Sequence, residues 1–312
     1  MIERKIAEIR KKNDLKPSIC LYKDCCNQAI NSHFLQKNGV LNSISETGFL
    51  IETSLIDPNH WRKNGKVIDF RKKGLKSVMS LKIFCNQHDS LIFKSIEGKE
   101  PKLNTYEAFL LLSYRITCAE LRKKITNTEV YEELLNDDNL EGKINKYFIQ
   151  NYINGFLFGC IDLNSLKFIL ESEIEDSHEK FVFKVFEYEI LEVCASAIFS
   201  PPDSYPTVND ILGEFQNIYV HLIPRNDKLL ILMGYHRDYC TPWILNYLTS
   251  WENLDRVGLE YKITELFVKY VENWAMSEPL FNSLKSVNLN KYLEYVNKIN
   301  EDLNIDFNLF SK

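Results

Sequence analysis

Two short pairs of metal-ligand residues, Cys20-x4-Cys25 and Cys85-x2-His88, constrain this chain more than any other feature it carries. Within each pair one turn of backbone suffices to point both side chains at a single ion. Three thiolates and an imidazole form a shell that tetrahedral Zn²⁺ accepts, and a small module with little core of its own depends on such an ion to fold. Cys26 is the obvious rival to Cys25. Adjacent cysteines do not easily reach one metal, so the residues alone leave the second ligand as either of the two. Cys85 is expected to end an apolar strand carrying Leu81, Ile83 and Phe84, and His88 to sit in the first turn of a helix that continues through Leu91, Ile92 and Phe93.

Eight cysteines in 312 residues are too few for a disulfide scaffold, and in a reducing cytosol clustered cysteines more often hold metal. Cys118, Cys160, Cys194 and Cys240 lie singly in apolar surroundings and are expected to be buried thiols. No uninterrupted apolar run reaches the roughly 18 residues of a membrane span, and the first residues, MIERKIAEIRKKND, are charged where a signal peptide is apolar. The expectation is a cytoplasmic protein with no membrane partner.

The net charge of -5 is unevenly spread. Through residue 104 the chain has 19 Lys+Arg against 11 Asp+Glu, a balance of +8, and beyond it 19 against 32, a balance of -13. The basic part is also the cysteine-rich part. Its charge is densest in residues 61–66 and 71–76, which flank Val67-Ile68-Asp69-Phe70, and a basic stripe beside a metal module is what binding to a phosphate backbone requires. Arg62, Lys63, Arg71, Lys72 and Lys73 are therefore candidate nucleic-acid contacts, DNA and RNA being equally served; the competing possibility is a solvated lysine-rich face.

Texture along the chain points to an α+β protein of two domains, 1–104 and 105–312. The first fourteen residues predict a helix ended near Pro17, and residues 18–100 short strands and turns. Residues 98–104 form a boundary, after which Thr105 caps a helix with Phe109, Leu112, Ile116 and Ala119 on one face, and helices continue to about residue 174. Strands are predicted at about 181–191, 217–223 and 228–235, the last two joined through Pro224, Arg225, Asn226 and Asp227. Helices follow from Trp243, over 260–275 and over 289–302.

Cys20-x4-Cys25-x3-Ala29-Ile30-x-Ser32-His33, Gly74-x2-Ser77 and Phe84-Cys85-x2-His88-Asp89-x3-Phe93-x2-Ile96-Glu97 together resemble the N-terminal signature of a family of bacterial treble-clef zinc proteins similar to HNH endonucleases. The likeness extends more weakly to Phe199-Ser200-Pro201, Ile223-Pro224 and Glu272-Asn273-x3-Ser277-x-Pro279. It implies a small zinc-stabilised treble-clef domain with Cys25 rather than Cys26 as ligand, and a role in phage defence. It also implies that His33, eight residues after Cys25, lies on a hairpin between the zinc knuckles, where a neutral imidazole takes a proton from the attacking water while Mg²⁺ or Mn²⁺ stabilises the leaving oxygen. Asp89 falls where HNH proteins usually have Asn; it is a metal ligand, a partner orienting His33, or a helix-capping carboxylate. Ser32 stands where many of them have Asp, and no last His or Asn follows Asp89 on its helix.

His33 is equally suited to supporting the zinc knuckle or to making a backbone hydrogen bond. His60 would supply a further ligand or stand on a surface loop, His236 follows a strand, and Glu272 and Asn273 are expected on an apolar helix. The acidic second domain is expected to regulate or assemble the module, or to recognise a trigger or protein partner. The alternative to a nuclease is a non-catalytic zinc module that acts by recognition in a defence or toxin system.

Overall fold

The computed structural model describes residues 2–56, 67–98, 100–201, 216–298 and 304–311, with backbone alone for residues 2–4. It is an α+β fold built on two sheets. β1 (Asn31–His33) and β4 (Ser80–Lys82) form a two-stranded antiparallel ribbon. β2 (Phe49–Leu55), β3 (Ile68–Gly74), β5 (Phe181–Glu189), β6 (Val193–Phe199), β7 (Ile218–Arg225), β8 (Lys228–His236) and β9 (Trp274–Met276) form an antiparallel sheet in the order β3-β2-β9-β6-β7-β8-β5.

Both faces of the sheet are covered. On β6, β7 and β8 alternate residues belong to two different cores: Val193, Ala195, Val220, Leu222, Ile231 and Met233 face one way, and Cys194, Tyr219, Ile223 and Leu232 the other. The first face packs against α5 (Pro242–Thr249), α6 (Arg256–Lys269) and α8 (Ser286–Asn297), through residues such as Ile244, Trp251, Ile263, Phe267 and Tyr292. A short α7 (Glu278–Ser283) lies between β9 and α8. The second face receives α3 (Tyr106–Leu135), which Thr105 caps by accepting from the Ala108 N–H at 3.2 Å. Phe109 of α3 reaches Gly234 of β8 so closely that a Cβ there would meet its ring at 2.4 Å, so only glycine fits. α4 (Lys146–Glu175) runs back along α3, and α1 (Ile2–Leu15) packs on the far end of α3 through Ile9, Val130 and Leu134.

Several expectations are corrected here. The hairpin between β7 and β8 turns on two residues, Asn226 and Asp227, with φ of +47° and +59°; Pro224 and Arg225 are strand residues. This left-handed pair is the primed turn that suits strand twist, and Asn and Asp tolerate it. Val193–Phe199 is a strand that escaped sequence reading. The helix expected over 260–275 ends at Lys269, so Glu272 and Asn273 lie beyond it, meeting Lys123, which donates to Asn273 Oδ1 at 2.6 Å and pairs with Glu272 at 3.6 Å. Of the four isolated cysteines Cys118 and Cys194 are buried, Cys160 is half-buried and Cys240 is exposed. α4, finally, is long and apolar enough to cross a membrane by length and composition; Gln150, Asn151, Asn154, Asp162, Asn164 and Ser165 interrupt its apolar runs and hid this from a search for unbroken ones.

His221 on β7 is fully buried between Ser196 Oγ, 3.0 Å from Nδ1, and Ser113 Oγ, 3.5 Å from Nε2. Burial lowers its pKa to about 3. The folded value lies below the unfolded one, near 6.5, so its contribution to stability is complete above about pH 6.5 and is lost as pH falls toward 3, at about 1.4 kcal/mol per pH unit. Urea unfolding at pH 7, 6 and 5 is expected to show an acid slope that His221→Gln reduces by this amount. An unchanged slope in the variant would contradict it.

Candidate metal centre and its histidine neighbour

The ligand knuckles are built by backbone hydrogen bonds. Cys20 N–H donates to Asn27 O at 2.9 Å and Cys25 N–H to Tyr22 O at 3.2 Å, while Asp24, at φ +55°, reverses the chain between the two thiols. Leu21 N–H bonds Ile83 O at 2.9 Å and ties this first knuckle to the segment entering the second. Cys85 then caps α2 (Asn86–Ile92), and one turn later His88 points back at the same locus. Arg122 of α3 donates to Ile19 O beside Cys20. Cys20 and Cys85 are buried in a core shared with Phe34, Phe84, Phe93, Tyr114 of α3 and Tyr219 of the sheet.

The ligand atoms of Cys20, Cys25, Cys85 and His88 all lie within 4.8 Å of one another. Cys20 Sγ is 3.5 Å and Cys85 Sγ 3.3 Å from His88 Nδ1, and Cys25 Sγ is 4.0 Å from Cys85 Sγ. A tetrahedral zinc with Zn–S of about 2.3 Å and Zn–N of about 2.0 Å sets edges of about 3.8 Å between sulfurs and about 3.5 Å from sulfur to nitrogen. These three distances are close to that tetrahedron's edges and the remaining pairs lie within 4.8 Å, so the cluster could hold a zinc ion. Burial raises the Cys20 thiol, whereas Cys85, against its own burial, is held below the usual thiol value by the N–H groups of His88 and Gln87 and by the neighbouring thiols. Cys26 is exposed and outside the cluster.

His33 lies on β1, opposite Ser80 of β4, so the ribbon carrying it runs between the two knuckles. Its Nε2 is 2.7 Å from Leu75 O. A carbonyl only accepts, so Nε2 carries the proton and Nδ1 keeps its lone pair. Burial lowers the pKa of His33; the Leu75 bond opposes this, the charges of Lys37 and Arg115 add to it, and Asp89 opposes it again. The result is a neutral imidazole with a fixed tautomer.

Asp89, one residue beyond the ligand His88, is turned toward the same place. Burial raises its pKa, while Arg115, the Ser32 hydroxyl and His33 each lower it. Its Oδ1 is buried without a hydrogen-bond partner. Arg115, on α3, is fully buried; Nη2 pairs with Glu97 at 2.6 Å, the guanidinium lies 3.7 Å over the Phe93 ring, and Nε and Nη1 have no partner. Gln36 donates to Glu97 O at 2.7 Å and holds that turn beside β1. Sequence reading missed Arg115, although a signal existed: it is the sole charged residue in the run 109–119.

The remaining candidates are dispersed. Among the described residues the cluster of Cys20, Cys25, Cys85 and His88 is the one group of three or more potential metal-ligand side chains. His236 is buried against Phe181 and Tyr239, with centroids 5.1 and 4.8 Å away, and accepts from Asp238 N–H at 3.3 Å, which is a packing role. On β3, Lys72 contacts both oxygens of Glu278 at 2.7 Å, Lys73 pairs with Glu52 at 3.1 Å, and Arg71 is exposed. Arg62, Lys63 and His60 lie outside the described residues. Compared with family models, curated proteins and solved structures, the chain matches none.

Proposed function

We propose that residues 20–97 are a treble-clef zinc module of the HNH kind that hydrolyses phosphodiester bonds in nucleic acid. The observation that carries this is His33: a neutral imidazole, its Nε2 anchored on Leu75 O, and its basic Nδ1 left for a water. Zinc is structural in this scheme, fixing the first knuckle, the ribbon and α2 so that His33 and Asp89 meet. His33 takes the proton of the attacking water; the oxygen so freed attacks phosphorus, and the leaving sugar oxygen departs. Asp89 Oδ1, without a protein partner, is the oxygen that would hold a catalytic Mg²⁺ or Mn²⁺, an ion commonly bound by one or two carboxylates together with water and substrate phosphate. Such an ion supplies Lewis acidity to the leaving oxygen. The positive Arg115 beside Asp89 disfavours a cation there, so ion binding should be weak until a substrate phosphate arrives.

Arg115 also favours a second reading, a module that binds nucleic acid or a trigger without cutting. The two separate on incubation of the purified protein with plasmid and with RNA, in Mg²⁺ and in Mn²⁺: strand scission supports the nuclease, and intact substrate under every condition the binding module. Either form acts in the cytoplasm, and its place in phage defence comes to this proposal from the resemblance of residues 20–97. The acidic C-terminal part would then regulate the module or recognise a protein trigger.

The nuclease, and the binding module where its ligand is nucleic acid, require contact with phosphates through Arg62, Lys63, Arg71, Lys72 and Lys73. Affinity for a duplex is expected to fall steeply as salt rises, and Arg71→Ala with Lys72→Ala to reduce the slope of log K against log salt by about one to two. The exposed Lys72–Glu278 pair contributes little, so a phosphate can take Lys72 from it. A salt-independent affinity would contradict the basic stripe's role.

A further inference from the structure

α4 is covered on one side only. Ile153, Leu163, Leu166 and Leu170 are buried toward α3 and the protein core, while Tyr147, Phe158, Ile161 and Phe168 stand 72, 68, 55 and 72% exposed on the opposite side. Along this side Tyr147, Asn151, Asn154, Phe158, Ile161, the half-buried Ser165 and Phe168 follow one another in steps of four and three. This is the seam spacing of two supercoiled helices; Phe148 and Tyr152, 60 and 54% exposed, lie outside it. From Tyr147 to Leu166 the helix has one charged residue, Asp162, which the seam excludes, and the next two, Lys167 and Glu171, pair with each other at 2.8 Å on the covered side.

We infer that this face of α4 binds the same face of a second copy of the chain, antiparallel, about a two-fold axis through Phe158. The symmetry is legible in the spacing. Tyr147 and Phe168 lie eleven and ten residues from Phe158, so in an antiparallel pair Phe158 meets its own copy and each Tyr147 meets Phe168 of the second copy. Asn151 falls opposite Ser165, whose hydroxyl also donates to Ile161 O at 3.1 Å in its own helix, and Asn154 falls opposite Ile161. A two-fold contact needs such self-complementarity. A parallel pair would instead bring Asn151 and Asn154 against their own counterparts in consecutive layers.

The area is sufficient. With Leu157, at 46% exposure, flanking the seam, these side chains leave on the order of 600 Å² of apolar surface per copy, at or above the largest patch of an ordinary monomer. Two such patches make on the order of 1,200 Å², the lower bound of a specific interface. A 30-residue helix with this composition also suits a bilayer, but a span would have to strip α4 from α3, where Leu163, Leu166 and Leu170 are already buried.

Sedimentation of the full-length protein across a concentration series tests this. The wild type is expected to dimerise reversibly, and Phe158→Asp, which places two carboxylates on the axis, to weaken the dimer by at least about a hundredfold. Tyr147→Lys and Phe168→Glu should each weaken it by about tenfold or more, and the two together in one chain should restore most of the affinity, because the introduced ammonium then faces the introduced carboxylate of the second copy. These side chains are exposed, so circular dichroism should be unchanged in all variants. A wild type monomeric at every concentration overturns the inference, as does a double variant no better than its singles. Flotation of a monomeric wild type with neutral phosphatidylcholine vesicles would overturn it in favour of a membrane-bound helix.

Discussion

Cys85→Ala is expected to yield a protein without zinc whose N-terminal module fails to fold. Cys85 supplies one of four ligands, and it is also the N-cap of α2 and lies between the buried Phe84 and the ligand His88. Structural zinc contributes on the order of 10 kcal/mol or more to a small module, comparable to the whole stability of an ordinary domain, about 5–15 kcal/mol. The core that covers Cys20 and Cys85 continues onto α3 and the sheet, so the loss should spread past residue 100. The measurement is zinc content with thermal unfolding and limited proteolysis of wild type and variant. His88→Ala should behave alike, while Cys26→Ser, at an exposed thiol outside the cluster, should leave zinc and melting temperature unchanged. A Cys85→Ala protein with full zinc and an unshifted melting temperature would remove the site from the account.

The second large effect concerns His33, which holds no metal. His33→Ala is expected to keep its zinc and lose about 1 kcal/mol for the bond to Leu75 O, while the phosphodiester cleavage proposed for the module falls by about a hundredfold to ten-thousandfold. The pH profile carries the same signature. A base acts in its deprotonated form, and because burial lowers the pKa of His33, activity should stay on its plateau below about pH 6.5 and fall only when pH passes the lowered value. Zinc lost on His33→Ala would mean that the residue supports the knuckle. Undiminished cleavage would place the chemistry elsewhere.

The ligand set was legible because, in a chain this poor in cysteine, thiols and an imidazole at knuckle spacing have little chemistry open to them besides holding a metal. The choice of Cys25 over Cys26 was not a matter of spacing; the structure decides it through the Cys25 N–H bond to Tyr22 O, which turns Cys25 inward and leaves Cys26 exposed. Hydrophobic periodicity located α3 and the β7–β8 hairpin, where local signals such as Thr105 and Asn226-Asp227 agree with the fold. It missed β6 because Val193–Phe199 is covered on both faces and so has no polar alternation, and β9 because three residues are held by their neighbours β2 and β6 rather than by their own pattern. The partners of Asp89 were hidden for another reason: Arg115 arrives from α3, and only tertiary packing sets it against α2.

Elemental analysis of the purified protein tests the central claim most directly, since the proposed scheme has an ion between the knuckles arrange His33, Asp89 and the ribbon. One zinc per chain is predicted, retained through dialysis against a weak chelator and released with loss of fold by a strong one. A folded protein with no stoichiometric zinc would contradict it.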